Sequence, residues 1–291
     1  MSVPSEALER YSRQMRFPGL GKAGQEKLLA SRVTLCGSGA LGTVLANVLA
    51  RAGVGFIRVI DRDFVEPSNL QRQVLFDESD VANNLPKAEA AAVKLRQINS
   101  SVAVEPVVAD INRTNIEEFC KGADLILDGS DNFEIRYLIN DAAVKLNKPW
   151  VYGGSIGSHG QTMTILPGQT PCLRCVFEAA PNPGEAGTCE TAGVLSPIVN
   201  IIASFQVTEA IKILTGHQEQ VSRELTYVDL PRGLAVEQFA QVMGGYAAWY
   251  VNGLAALVEH PQWALPTVSE LLGRPALPFR EWVRRHAASF G

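Results

Sequence analysis

Gly37-Ser-Gly-Ala-Leu-Gly42 lies between a short apolar run, Val33–Cys36, and a stretch where Leu41, Val44, Leu45, Val48 and Leu49 recur at helical spacing. A glycine-rich turn between a strand and a helix fits a parallel α/β sheet and few other folds. Gly37 allows the tight turn, Gly39 lets backbone approach a phosphate, and Gly42 lets the helix pack closely on the strand. The free N–H groups at the helix start attract an anion. Asp61, just past the next strand at Phe56–Ile60, is placed to bond a ribose hydroxyl. Taken alone, this pattern fits NAD, FAD or ATP.

The rest of the first half keeps the alternation. Pro86–Ile98 reads as a helix, Val102–Val108 as a strand, Asn115–Lys121 as a helix and Asp124–Asp128 as a strand. Phe133–Leu146 is a helix and Pro149–Tyr152 a short strand. Such alternation means a mostly parallel sheet with helices on both faces. Then the pattern changes. Gly153, Gly154, Gly157 and Gly160 predict tight turns before a strand at Gln161–Leu166. Glu178–Gly193 is rich in Pro, Gly and Ala and predicts a loop. Pro197–Thr215 predicts a helix closed by Gly216, and Leu225–Val228 a strand. The expected fold class is α/β: a Rossmann-like, mostly parallel sheet with flanking helices, a smaller antiparallel extension and a helical C-terminal tail. A boundary near Gly233 separates a nucleotide-binding domain, residues 1–232, from an appendage, 233–291. The appendage holds Trp249, Trp263 and Trp282 and the basic end Arg280–Arg285.

Charge and composition narrow the function classes. The formal charge is −4, which argues against nucleic acid or an anionic membrane as main partner. The start, MSVPSEALERYSRQ, has no apolar core and predicts no signal peptide. The stretch Ala192–Ala203 is interrupted by Ser196, Pro197 and Asn200 and is read as too short and polar to span a bilayer. Five cysteines in 291 residues suggest no disulfide framework. A cytoplasmic protein is expected.

The residues around the turn separate the candidate ligands. Asp61-Arg-Asp63 leads into Ser68-Asn69-Leu70-Gln71-Arg72-Gln73, then Lys87, then the pair Asp131-Asn132 beyond the strand at Asp124. A dehydrogenase needs no such set; a triphosphate does. Arg72 as a fork and Lys87 as a point charge can neutralise phosphate oxygens. Asp131, past a strand's carboxyl end, can hold Mg²⁺ together with phosphates and water.

The chain resembles the MoeB/ThiF family of ubiquitin-activating-enzyme-like adenylyltransferases. The matching stretches are Arg10-Tyr-Ser-Arg-Gln14, Gly24-Gln25, the Gly37 turn, Asp61–Asp63, Ser68–Gln73, Lys87, Ile98-Asn99, Asp131-Asn132, Gly160-Gln161, Pro171-Cys-Leu-Arg-Cys175, Cys189 with Ala192-Gly-Val194, and Glu209–Lys212. They stand in family order over about residues 8–230. The resemblance implies ATP and Mg²⁺ bound by Asp61, Asp63, Ser68–Arg72, Lys87, Asp131 and Asn132. It also implies a homodimer in which Arg13 reaches the partner's active site. The substrate it implies is a small ubiquitin-like sulfur-carrier protein ending in Gly-Gly. Its carboxylate would become an acyl-adenylate, as in molybdopterin or thiamine synthesis. A rhodanese domain is not appended, so a separate sulfur donor is expected. Ala40 stands where the family has Gly, and its methyl is expected to narrow the space beside the phosphates.

The cysteines add two expectations. Cys172 and Cys175 form a CxxC, half of a four-cysteine zinc site, but no cysteine follows Cys189. By resemblance Cys189, in the Glu178–Gly193 loop, matches a cysteine that links covalently to the carrier in some relatives. Cys36 and Cys120 read as structural, and His159 as a turn residue. Glu270–Phe290 resembles the end of NmrA-like atypical short-chain dehydrogenases. Two other functions therefore stay open: an NAD(P)-dependent oxidoreductase and a non-catalytic subunit of a heterodimeric activating enzyme.

Overall fold

A computed structural model describes residues 8–177 and 189–229, without the side chains of Cys189 and Glu190. The expected boundary near Gly233 and the helical tail lie outside the described residues. The elements run α1 (Ser12–Met15), α2 (Gly21–Ala30), β1 (Arg32–Cys36), α3 (Ala40–Ala52), β2 (Phe56–Ile60), α4 (Glu78–Ala82), α5 (Lys87–Ile98) and β3 (Ala103–Val107). They continue with α6 (Ile116–Lys121), β4 (Leu125–Asp128), α7 (Phe133–Lys145), β5 (Trp150–Ile156), β6 (His159–Ile165), α8 (Leu173–Val176), α9 (Cys189–Ala192), α10 (Ser196–Thr215) and β7 (Thr226–Asp229).

All seven strands join one sheet in the order β3-β2-β1-β4-β5-β6-β7. The first five are parallel, with Val33 opposite Ile57 on one side and Leu125 on the other. β6 and β7 add antiparallel strands to the same edge, so the extension continues the sheet. Apolar residues on successive strand positions serve opposite faces. Val33, Leu35, Leu125 and Leu127 pack with α3, α5 and α10, whereas Cys36, Ile126, Trp150 and Tyr152 pack with α6 and α7. The chain reverses its winding between β1 and β4, which opens a crevice at their carboxyl ends.

Four expectations are corrected here. Gly153, Gly154 and Gly160 are not turn residues: they lie inside β5 and β6, and only Gly157, at φ +59°, makes the turn. The reason is the close approach of α10. A Cβ on Gly153 would stand 2.4 Å from the Gln206 side chain, and one on Gly160 2.4 Å from Ile202. His159 is likewise a strand residue, buried and stacked on Tyr227 at 5.9 Å. The helix expected at Pro197–Thr215 runs over Ser196–Thr215, and the apolar stretch expected at Ala192–Ala203 lies instead along this helix, as an 18-residue window of mean hydropathy 1.4. By length and composition it suffices to cross a membrane, yet 56% of that stretch is buried, much of it under the sheet. The end of the expected loop is also ordered locally, since Cys189–Ala192 makes one helical turn.

Candidate active site

The glycine turn lies at the crevice. Gly37 has φ +99° and donates its N–H to the Ile60 carbonyl at 2.8 Å. A Cβ on Gly42 would lie 2.1 Å from the Gly37 carbonyl, and one on Gly129 2.5 Å from the same oxygen. Gly37, Gly42 and Gly129 therefore pack backbone on backbone where β1, α3 and β4 meet. Gly39 differs: a Cβ there would make only ordinary contacts, 3.8 Å from the Gly129 carbonyl oxygen and 4.0 Å from Gln73 Nε2. Beside it, Ser38 Oγ and Gln73 Oε1 are buried and have no hydrogen-bond partner. Buried polar atoms are nearly always paired, so two orphans in one cradle mark a place for a polar ligand. Neither residue was singled out from the sequence, because orphaned burial has no sequence signal. Ala40 opens α3 and leans on the hydrophobic core beneath it.

Asp61 braces the turn. Its Oδ2 accepts the Ser38 N–H at 2.6 Å and its Oδ1 accepts the Asp63 N–H at 2.8 Å. Burial raises its pKa, opposed by those bonds and by Lys87. Two accepted bonds leave lone pairs for a ribose hydroxyl. Lys87 opens α5 with its side chain only 9% exposed, and its ammonium lies 3.1 Å from Asp63. Asp63 also takes the Lys87 N–H on its backbone carbonyl at 2.8 Å. In the next segment Arg72 donates to the Ser68 carbonyl at 2.7 Å, while Ser68 and Gln71 stay exposed. Asn69 and Leu70 are structural: Asn69 Oδ1 accepts the Glu66 N–H at 3.1 Å, and Leu70 packs on the core.

Across the crevice, Asp131 is exposed. Asn132 caps α7, its Oδ1 accepting the Ile135 N–H at 2.9 Å. Beneath them lies a pair that sequence reading passed over. Asp128 is fully buried; burial raises its pKa, while Arg136 at 3.3 Å and the Ser130 hydroxyl at 2.6 Å lower it. Arg136 also donates to the Ser130 carbonyl at 3.1 Å, so the pair fixes the loop that presents Asp131. Among the described residues no group of three or more His, Cys, Asp or Glu could hold a metal. Mg²⁺ on a nucleotide needs only one or two carboxylates beside phosphate oxygens and water, and exposed Asp131 fits that demand.

Arg13 does not join this cradle within its own chain. Its neighbours Tyr11 and Gln14 attach to the opposite end of α3, where Gln14 donates to the Ala52 carbonyl at 2.9 Å. Thirteen helical residues put that end roughly 20 Å from the turn. Cys172 and Cys175 lie together, sulfur to sulfur 3.5 Å apart. Their hydrogen bond pulls the Cys172 thiol down to about 6 and pushes Cys175 up. Two thiols fill only two of the four positions of a tetrahedral zinc. Cys36 and Cys120 are buried. Cys189 begins α9, and its side chain lies outside the described residues.

A strand–Gly turn–helix at a switch point, with Asp61 and Lys87 beside it, has the geometry of a nucleotide-phosphate site. The ThiF family profile matches residues 11–242. The chain belongs to the ThiF family. It is 51% identical over 209 residues to the sulfur carrier protein ThiS adenylyltransferase of Bacillus subtilis, covering 72% of this chain and 62% of that protein. It is 42% identical over 229 residues to the SAMP-activating enzyme E1 of Haloferax volcanii, covering 79% of this chain and 84% of that one. Among solved structures, Escherichia coli MccB with AMPCPP and MccA superposes with a TM-score of 0.65 at 25% identity, covering 78% of this chain and 74% of that one.

Proposed function

We propose that this ThiF-family chain adenylates the C-terminal glycine carboxylate of a small ubiquitin-like sulfur-carrier protein, using Mg-ATP. The observation that carries the proposal is the glycine turn itself, where two buried oxygens, Ser38 Oγ and Gln73 Oε1, lack partners and Asp61, which braces the turn, feels the charge of Lys87. The names of the bacterial and archaeal relatives supply the substrate class.

The chemistry follows from charge. A terminal carboxylate, with an ordinary pKa of roughly 3.3–3.7, is ionised at neutral pH and needs no general base. The barrier is the approach of an anion to the α-phosphorus of a polyanion. Lys87 and Arg72 offset that repulsion and stabilise the leaving pyrophosphate. Mg²⁺ on Asp131 would supply further neutralisation of the phosphates. The carboxylate oxygen forms a bond to the α-phosphorus, the bond to the β-phosphate oxygen breaks, and acyl-adenylate and pyrophosphate result.

The proposal includes a homodimer. Arg13 lies far from its own turn, which supports its service in a partner's site. It includes a separate sulfur donor, and leaves Cys189 as the candidate for a covalent link to the carrier. Exchange of labelled pyrophosphate into ATP tests the proposal. Exchange should appear only with a carrier ending in Gly-Gly; none across a panel of such carriers, or exchange without any carrier, would count against it.

A further inference from the structure

Cys172 and Cys175 have no use in the adenylation chemistry, and two thiols alone do not complete a tetrahedral zinc site. Their sulfurs are 3.5 Å apart, against about 2.05 Å in a disulfide, so small side-chain rotations close the bond. Cys175 is exposed and open to a dissolved reagent, while Cys172 is buried behind it. The other halves of a thiolate clasp are missing. Cys36 and Cys120 are fully buried between β1 and α6, and the sequence holds no cysteine after Cys189.

The turn is also tied to the rest of the fold by protein contacts. Helix α7 holds it from one side at three points. The Leu173 N–H donates to Asn140 Oδ1 at 2.9 Å, Arg174 forks onto Asp141 at 2.8 and 2.7 Å, and the Tyr137 hydroxyl donates to the Phe177 carbonyl at 2.8 Å. A structural zinc orders its own loop, and here α7 does that work. The thiols are left free for other chemistry.

We infer that Cys172 and Cys175 are a reversible dithiol–disulfide couple, exchanging with disulfides of low molecular weight or with a protein disulfide. Cys175, its proton drawn off by the neighbouring Cys172 thiolate and passed on to solvent, attacks one sulfur of the incoming disulfide, forming a mixed disulfide and releasing one thiolate. Cys172 thiolate then attacks the Cys175 sulfur and releases the second. Each cysteine gives its proton to solvent. The two cysteines are oxidised, and the incoming disulfide is reduced to two thiols. This inference stands apart from adenylation and would survive its failure.

The test uses the full chain, equilibrated with glutathione buffers of graded oxidised-to-reduced ratio, acid-quenched and mapped by peptide mass spectrometry. The same preparation is analysed for zinc. The expected result is a single reversible loss of two hydrogens on the peptide bearing Cys172 and Cys175, with zinc well below one per chain. C172S and C175S should each abolish the transition, and Cys189→Ser should leave it in place. One zinc per chain, lost in C172S, would overturn the inference. So would thiols that stay reduced at every ratio, or a disulfide that joins Cys175 to Cys189 instead.

Discussion

Helix α3 carries a polar cluster at each end, and the two differ in how their hydrogen bonds are spent. At the C-terminal end Asn99, Gln25 and Gln14 are paired. Asn99 Nδ2 donates to the Tyr11 hydroxyl at 2.8 Å and the Ala50 carbonyl at 2.7 Å, and its Oδ1 accepts from Arg10. Gln25 donates to the Ala52 carbonyl at 2.9 Å and accepts from Gln14 at 2.6 Å. At the N-terminal end, Ser38 Oγ and Gln73 Oε1 have no partner. Residues matching the family pattern lie at both ends. A motif residue whose bonds are complete holds the scaffold; one whose bonds are missing awaits a ligand. The Arg10–Gln14 stretch thus carries both roles, with Tyr11 and Gln14 as anchors and Arg13 exposed between them.

Substitutions at the two ends should separate these roles. The largest effect is expected for Lys87→Met. Losing a preorganised cation should cut carrier-dependent exchange by about 100- to 1,000-fold, with little change in melting temperature. Collapse of the fold with activity retained per folded molecule would break the comparison. Next is acid. Burial pushes His159, on the site end of the sheet, down to about 4. Its folded pKa lies below its unfolded value, so its stability contribution is present above about 6.5 and is lost as pH falls through 4. The loss should reach about 3 kcal/mol near pH 4, and His159→Phe should flatten that part of the profile. Denaturant midpoints against pH measure it.

Asn99→Ala acts at the closed end. It strands the Tyr11 hydroxyl and the Ala50 carbonyl, and should cost about 2 kcal/mol of stability. Exchange per folded molecule should stay near wild type. Smallest is Ser38→Ala at the open end. Removing an unpaired hydroxyl should leave stability almost unchanged while raising the KM for ATP about five-fold, roughly 1 kcal/mol of lost contact. A large stability loss there would mean that the hydroxyl is already satisfied.

Much of this was legible in the sequence, for physical reasons. β1, β2, α5 and α7 follow periodic apolar patterns and end within a residue or so of expectation. Asp61, Lys87 and Asp131 were visible because they directly follow strands or open helices in a parallel sheet, where ligands gather. β5 was cut short because Gly153 and Gly154 read as turns; the approach of Gln206 on α10 explains glycine at 153, and the Tyr152 hydroxyl and Arg136 crowd position 154. Ser38, Gln73 and the Asp128–Arg136 pair stayed hidden because burial and missing partners arise from chain segments far apart in sequence. Asn99 was seen as a motif match, but its bonding to Tyr11 needs a contact across 88 positions.

The most direct measurement incubates the protein with α-labelled ATP, a carrier ending in Gly-Gly and pyrophosphatase. AMP label should appear on the carrier, disappear when its C-terminus is amidated, and be released by hydroxylamine as the acyl-adenylate requires. Label that stays on the enzyme, survives amidation of the carrier, or is found only as ADP would contradict adenylation of the carrier's carboxylate.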